Sequence, residues 1–113
     1  MRQFTLIIAL SLVASPIWAE DWQVLTGGEI QIALEGRRLV YDSGARQEFR
    51  TSGRTLYNAG SDSWGYWEVR NDQYCSVWPP SDLWACYGLE VKPPAIRFVG
   101  SGSDVTEGRY VNE

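Results

Sequence analysis

The stretch Tyr74-Cys75-Ser76-Val77-Trp78-Pro79-Pro80-Ser81-Asp82-Leu83-Trp84-Ala85-Cys86-Tyr87 holds both cysteines of the chain and reads almost as its own mirror image. An aromatic and a cysteine open it, a cysteine and an aromatic close it, and the residues between, Pro79-Pro80-Ser81-Asp82, are ones that turn a chain. This is the pattern of a β-hairpin. Setting Cys75 opposite Cys86 sets Tyr74 opposite Tyr87, Ser76 opposite Ala85 and Val77 opposite Trp84, so the cysteines share a face with the Val77/Trp84 pair. Facing residues at a non-hydrogen-bonded antiparallel position lie about 4.5 Å apart at Cα, within reach of a disulfide. A redox or metal role fits less well, because catalytic pairs are usually C-x-x-C and two cysteines without a histidine cannot fill a zinc site. The reading is a structural disulfide, Cys75–Cys86, pinning a hairpin.

A disulfide needs an oxidising compartment, and the N-terminus supplies the address. Arg2 carries a positive charge, Phe4 to Ala14 is an apolar run broken only by Thr5 and Ser11, and Ser15-Pro16-Ile17-Trp18-Ala19 offers small residues for cleavage. Residues 1–19 read as a signal peptide cut after Ala19, with Ala14 as a second candidate. The run is too short to span a bilayer, and neither a lipid-accepting junction cysteine nor a twin arginine is present. The expected product is a monomer of residues 20–113, periplasmic or secreted, with no stable membrane insertion. It makes one domain near the small end of what folds alone.

The formal charge of the whole chain is −4, one unit more negative without Arg2, which argues against a nucleic-acid partner. Five arginines nevertheless fall between Arg37 and Arg54. They read either as one basic patch or as charges scattered over solvated strand faces.

Only one helix declares itself. Thr26 and Glu29 form an S/T-x-x-E capping box, Leu25 and Ile30 a hydrophobic staple, and Gly36 stops the chain, so a short helix is predicted over Gly27–Glu35 with Ile30, Ala33 and Leu34 on one face. Beyond it, turn residues recur every 8 to 12 positions or so, the spacing of an all-β barrel or sandwich. Strands are predicted at Arg38–Tyr41, Gln47–Thr51, Thr55–Asn58, Trp64–Arg70, Tyr74–Trp78, Leu83–Val91, Ala95–Val99 and Gly108–Val111. Consecutive short turns favour an antiparallel meander, and closure removes exposed edges. The predicted fold is therefore mainly β: a small meander barrel of about six to eight strands capped at one end by the helix. Alternation sorts Gly65, Trp67 and Val69 to one face and Trp64, Tyr66 and Glu68 to the other, with Trp67 buried and Trp64 at the rim; Ile96 and Phe98 point together. In a barrel this small, side chains are expected to fill the interior.

The absence of histidine from the whole sequence removes Ser-His-Asp and Cys-His chemistry and the usual neutral-pH proton shuttle. Carboxylate pairs remain, Glu68 with Asp72 or Glu90 with Glu48, but such a pair needs a cleft and a raised pKa, and so small a domain offers little cleft. Asp104 and Glu107 beside Gly100-Ser101-Gly102-Ser103 lack the ligand spacing of a calcium loop, and Gly27-Gly28 lacks the continuation of a phosphate loop. No enzyme, cofactor or metal site is predicted. The binding candidates are Trp78 and Trp84, which flank a proline-stiffened tip and offer rigid aromatic surface, and Arg46 and Arg50, which fall on one strand face and suit a carboxylate or phosphate.

Leu25-Thr26-Gly27-Gly28-Glu29-Ile30, Gly65-Tyr66-Trp67-Glu68-Val69 and the two halves Tyr74-Cys75-Ser76-Val77-Trp78 and Ala85-Cys86-Tyr87 together resemble a family of small exported proteobacterial proteins of unknown function. Those share an L-T-x-x-E-I opening, a G-x-W-x-V strand and a paired-cysteine hairpin, and the resemblance implies a fold and a compartment. The chain is more loosely similar to periplasmic lysozyme inhibitors, small disulfide-bonded barrels with an S-G-x-x-Y loop; here Asp42-Ser43-Gly44-Ala45-Arg46 has the Ser-Gly and lacks the tyrosine. The expected role is an exported, non-enzymatic binding or interaction module for an envelope protein or cell-wall-related ligand, the alternative being an inhibitor of a hydrolase such as lysozyme.

Overall fold

The computed structural model describes residues 21–111; the signal-peptide reading of residues 1–19 lies outside them. The elements in chain order are β1 (Gln23–Val24), α1 (Gly27–Leu34), β2 (Arg38–Tyr41), β3 (Arg46–Phe49), β4 (Arg54–Asn58), β5 (Asp62–Arg70), β6 (Gln73–Val77), β7 (Ala85–Lys92), β8 (Ala95–Val99) and β9 (Val105–Tyr110). Strands β2 to β9 pair consecutively and antiparallel, and β9 returns to β2 through Val40↔Arg109, so eight strands close into an up-and-down barrel. The ninth, β1, lies outside the closed set. It pairs with the second half of β7 at Val24↔Glu90, after β6 has left that edge at Tyr74↔Tyr87.

Several boundaries differ from the sequence expectation. Strand β3 ends at Phe49 because Arg50 and Gly53 close a turn, with the Gly53 N–H donating to the Arg50 carbonyl at 2.9 Å and Gly53 at φ +93°. Strand β9 starts earlier, at Val105. The cysteine hairpin has the predicted register at Tyr74↔Tyr87, Cys75↔Cys86 and Ser76↔Ala85, but the Val77/Trp84 pair does not form. Val77 pairs only with Tyr66 of β5, on its other edge, and the chain leaves the ladder at Trp78. Pro79 and Pro80 have no N–H to donate, so the ladder cannot continue through them; the Ser81 N–H closes a turn on the Trp78 carbonyl at 3.0 Å. The disulfide joins Cys75 and Cys86 at a Cα separation of 4.0 Å on the outer wall.

The helix shuts one end of the barrel. The Thr26 N–H donates to the Glu29 carboxylate at 2.9 Å, completing the predicted cap. Asn71 and Asp72, both at positive φ, make the two-residue β5–β6 turn, the geometry that suits the twist of a tight hairpin. That turn presents the Asp72 carboxylate to the Gly27 N–H at 2.8 Å, tying the helix start to the barrel end. Gly27 is thus an ordinary helix entrance. Ile30 and Leu34 point into the barrel and are fully buried against Leu39, Phe49, Leu89 and Ile96. Tyr110 fastens the helix from the far side, its hydroxyl donating to the Ala33 carbonyl at 2.9 Å.

Alternation along β5 is as read from the sequence: Gly65 and Trp67 are buried, and Trp64 and Tyr66 lie on the outer wall. Trp67 stands edge-on to Phe49 at 5.7 Å and donates its indole N–H to the Arg50 carbonyl at 3.0 Å. Phe49 and Phe98 in turn meet Tyr74 at 5.7 and 5.0 Å, edge to face. These rings form an aromatic layer across the middle of the barrel.

Candidate functional site

Aliphatic side chains fill the barrel only from α1 to that aromatic layer. Beyond it, at the end formed by the β2–β3, β4–β5, β6–β7 and β8–β9 turns, lies an open cavity of about 260 Å³. The expectation of a fully packed interior therefore holds for one half and fails for the other. The physical reason is the residue types on the inward positions. Toward α1 these are Leu39, Phe49, Leu89 and Ile96; toward the mouth they are Tyr41, Gln47, Tyr57, Ser76, Tyr87 and Thr106, whose polar ends are poor filling.

The floor is a hydrogen-bonded network. Gln47, buried on β3, accepts from the Tyr41 hydroxyl at 2.5 Å through Oε1 and donates through Nε2 to Thr55 Oγ1 at 2.9 Å and to the Tyr74 hydroxyl at 3.3 Å. The Thr55 hydroxyl in turn donates to the Glu48 carbonyl at 2.7 Å. Burial raises the pKa of both Tyr41 and Tyr74 above the ordinary tyrosine value, reinforced at Tyr41 by its neighbours Tyr74 and Tyr57 and opposed at Tyr74 by hydrogen bonds from Ser76 and Gln47. Both hydroxyls are therefore proton-bearing groups throughout the physiological range. The wall above is half-buried: Tyr57, Trp78 and Tyr87. Trp78 seats its ring over Gly65, where a Cβ would stand 2.6 Å from the indole, and meets Tyr57 edge-on at 6.1 Å. Among the described residues, no hydrogen-bond partner is found for the hydroxyls of Tyr57 and Tyr87 or for the Trp78 indole N–H. None of the residues lining the cavity carries a charge.

The sequence-derived candidates separate in space. Trp78 is in the mouth; Trp84 is on the outer wall, its ring under the Arg70 guanidinium at 4.2 Å. The proline tip thus divides its two tryptophans between inside and outside. Arg46 and Arg50 both point outward, but Arg50 lies past the end of β3, pairs with Glu48 at 2.6 Å and covers the exposed Trp64 ring at 4.8 Å. Arg54 lies 4.4 Å from the same ring. Arg46 sits with Asn58 and Asp62 on a second open pocket, of about 380 Å³. The two arginines bracket Glu48 and do not converge.

Each carboxylate considered for catalysis has a structural partner. Glu90 holds Arg97 at 2.7 Å, Glu48 holds Arg50, Glu68 pairs with Arg70, and Asp72 caps α1. Among the described residues no group of three or more His, Cys, Asp or Glu is placed to hold a metal ion, and no helix is long and apolar enough to cross a membrane. Comparison of the chain with known protein families, curated proteins and solved structures finds no match.

Sequence reading set the mouth aside as filled by side chains, although the sequence held a trace of it. Tyr41, Tyr57, Tyr74 and Tyr87 all occupy inward positions of their strands, interleaved with Gln47, Thr55 and Ser76. A run of polar-tipped residues on the core face of a barrel marks a wet or ligand-bearing interior. It could be read only once inward and outward positions were assigned for every strand.

Proposed function

We propose that this chain is an exported, non-enzymatic binding module whose ligand enters the open mouth of the barrel. The observation that carries the reading is the abrupt end of apolar filling at the Phe49–Tyr74–Phe98 layer, above which side chains surround a cavity of about 260 Å³. A folded domain retains such a space at a cost in lost contacts, and a ligand that fills it restores them. A disulfide on the outer wall supports the oxidising compartment, with the N-terminal apolar run as the export signal, and an envelope or cell-wall-related ligand fits that address.

The test is an amide and indole NMR titration of residues 20–113 with a mixed panel of small sugars, phenols, carboxylates and amines. Shifts should cluster on Tyr57, Tyr74, Trp78 and Tyr87; Trp78→Ala should abolish them, while Trp84→Ala, Arg46→Ala and Arg50→Ala leave them in place. Shifts confined to the β3 arginines or to Trp84, or none with any probe, would reject the mouth as the site.

The alternative, inhibition of a cell-wall hydrolase, draws on one feature. Asp42, Ser43 and Gly44 form an exposed tip beside the mouth, tightened by the Ala45 N–H donating to Ser43 Oγ at 3.2 Å. Dose-dependent protection of cell walls from lysozyme, lost on shortening this tip, is the result that reading requires.

A further inference from the structure

The chemistry of the mouth narrows the ligand beyond the reading just given, on which the following rests. Four classes of occupant differ in what they demand of the wall. An anion or cation would enter a partly desolvated site in which no lining residue carries a compensating charge, and unpaired buried charge is strongly disfavoured. A purely aliphatic occupant, such as an acyl chain, would strip water from the Tyr57 and Tyr87 hydroxyls and the Trp78 indole N–H and return no hydrogen bond. A flat phenol would satisfy the rings but bring a single hydroxyl to meet three donors. An uncharged ring carrying several hydroxyl or amide groups meets all the demands: its flat apolar face packs on Trp78 and Tyr57, and its hydroxyls meet the phenol groups above and the Gln47–Tyr74 network below.

Size agrees. The cavity lies just under the roughly 300 Å³ at which pockets for drug-sized ligands begin, so it suits one ring and no long chain. The cavity is open to solvent, with exposed Ser43 and half-buried Trp78 in its lining. A ring can therefore be admitted while whatever it is attached to stays outside.

We infer that the barrel mouth is a subsite for a neutral, hydroxylated six-membered ring, the chemistry of an uncharged hexopyranose, taken either as a free sugar or as the terminal residue of a glycan. Hydrogen-bond donors from Tyr57 and Tyr87 and stacking on Trp78 select it. The lack of any lining charge disfavours its acidic and amino counterparts, the acidic one further because Asp42 and Glu107 stand beside the mouth.

The experiment compares matched probes on residues 20–113 by NMR titration: methyl hexopyranosides, N-acetylated hexosamine, the corresponding uronic acid, the free amino sugar, and phenol. The neutral sugars should shift the Trp78 indole and Tyr87 amide signals, with the uronic acid and amino sugar at least tenfold weaker. Tyr57→Phe and Tyr87→Phe, each removing one hydroxyl, should weaken the neutral sugar about three- to tenfold without altering the fold, and Trp78→Ala should abolish binding. Equal affinity for a short oligosaccharide ending in the same hexose assigns a glycan terminus, and loss of affinity on the chain assigns the free sugar. Uronic acid binding as well as the neutral sugar, or phenol binding alone at the same signals, overturns the ligand class and leaves the mouth as a binding site. Silence from every probe overturns both.

Discussion

Replacing Gly65 by alanine probes how the mouth is built. Gly65 faces inward on β5, and a Cβ at that position stands 2.6 Å from Trp78 Cε3 and 2.6 Å from the Val77 carbonyl oxygen. Carbon atoms rest about 3.5–4.0 Å apart at their energy minimum, so the indole must retreat by about 1 Å. The ring has somewhere to go, since Trp78 begins a loop. The carbonyl has not, because it is held beside the Tyr66↔Val77 pair of the β5–β6 ladder. Gly65→Ala therefore strains the sheet and lifts Trp78 from its seat against Tyr57. Overpacking of this kind costs about 1–3 kcal/mol, equivalent to roughly 5–20 °C in Tm for a domain of this size. Thermal and urea unfolding with the disulfide intact measures the stability, and native indole emission reports the ring. Gly28→Ala is the internal control: nothing lies within 4 Å of its added Cβ and the site is helical, so about 0.5–1 kcal/mol of stabilisation is expected. A Gly65→Ala protein with the parent's Tm and native emission would refute the packing of Trp78 over Gly65.

Two further outcomes follow from the same structure. Cys75→Ala/Cys86→Ala opens a loop spanning a sequence separation of 11, and the chain-entropy relation puts the loss at roughly 3 kcal/mol; a urea midpoint shifted by a small fraction of that would show the hairpin holding its register without the bond. At alkaline pH, Tyr41 and Tyr74 should keep their protons in the fold beyond the ordinary value of 10.0 because burial raises both. Above that value the unfolded chain binds fewer protons than the folded one, so stability falls as pH rises, while below it the tyrosine contribution is fully present. Tyr41→Phe should flatten the fall, measured by urea unfolding between about pH 9 and 11; an unaltered slope would place the Tyr41 hydroxyl in contact with water.

The local pattern of the chain was enough to place the helix, the disulfide and its register, and the eight barrel strands. Each rests on short-range rules: a capping box needs residues three apart, a hairpin needs turn residues between matched flanks, and a strand face needs alternation. Where those rules run out, only the structure places the side chains. Trp78 and Trp84 look equivalent beside Pro79-Pro80, yet leaving the ladder at Trp78 sends one ring inside over Gly65 and the other outside under Arg70. Arg46 and Arg50 look like one grip, yet the turn at Gly53 takes Arg50 off the strand and Glu48 claims it.

Alternation also tells which tyrosines point inward, since that follows from the pleat of each strand alone. It does not tell that Tyr41, Tyr57, Tyr74 and Tyr87 share one end of the barrel, or that Thr106 of β9 joins Tyr41 of β2 on one wall. Those follow from closure between β9 and β2, the last and first strands of the barrel. Local pattern does predict the helix across one end, but not which contacts hold it there or that the other end stays open. The helix is held where Asp72 meets Gly27 and Tyr110 meets Ala33, contacts between residues 45 and 77 positions apart in the chain.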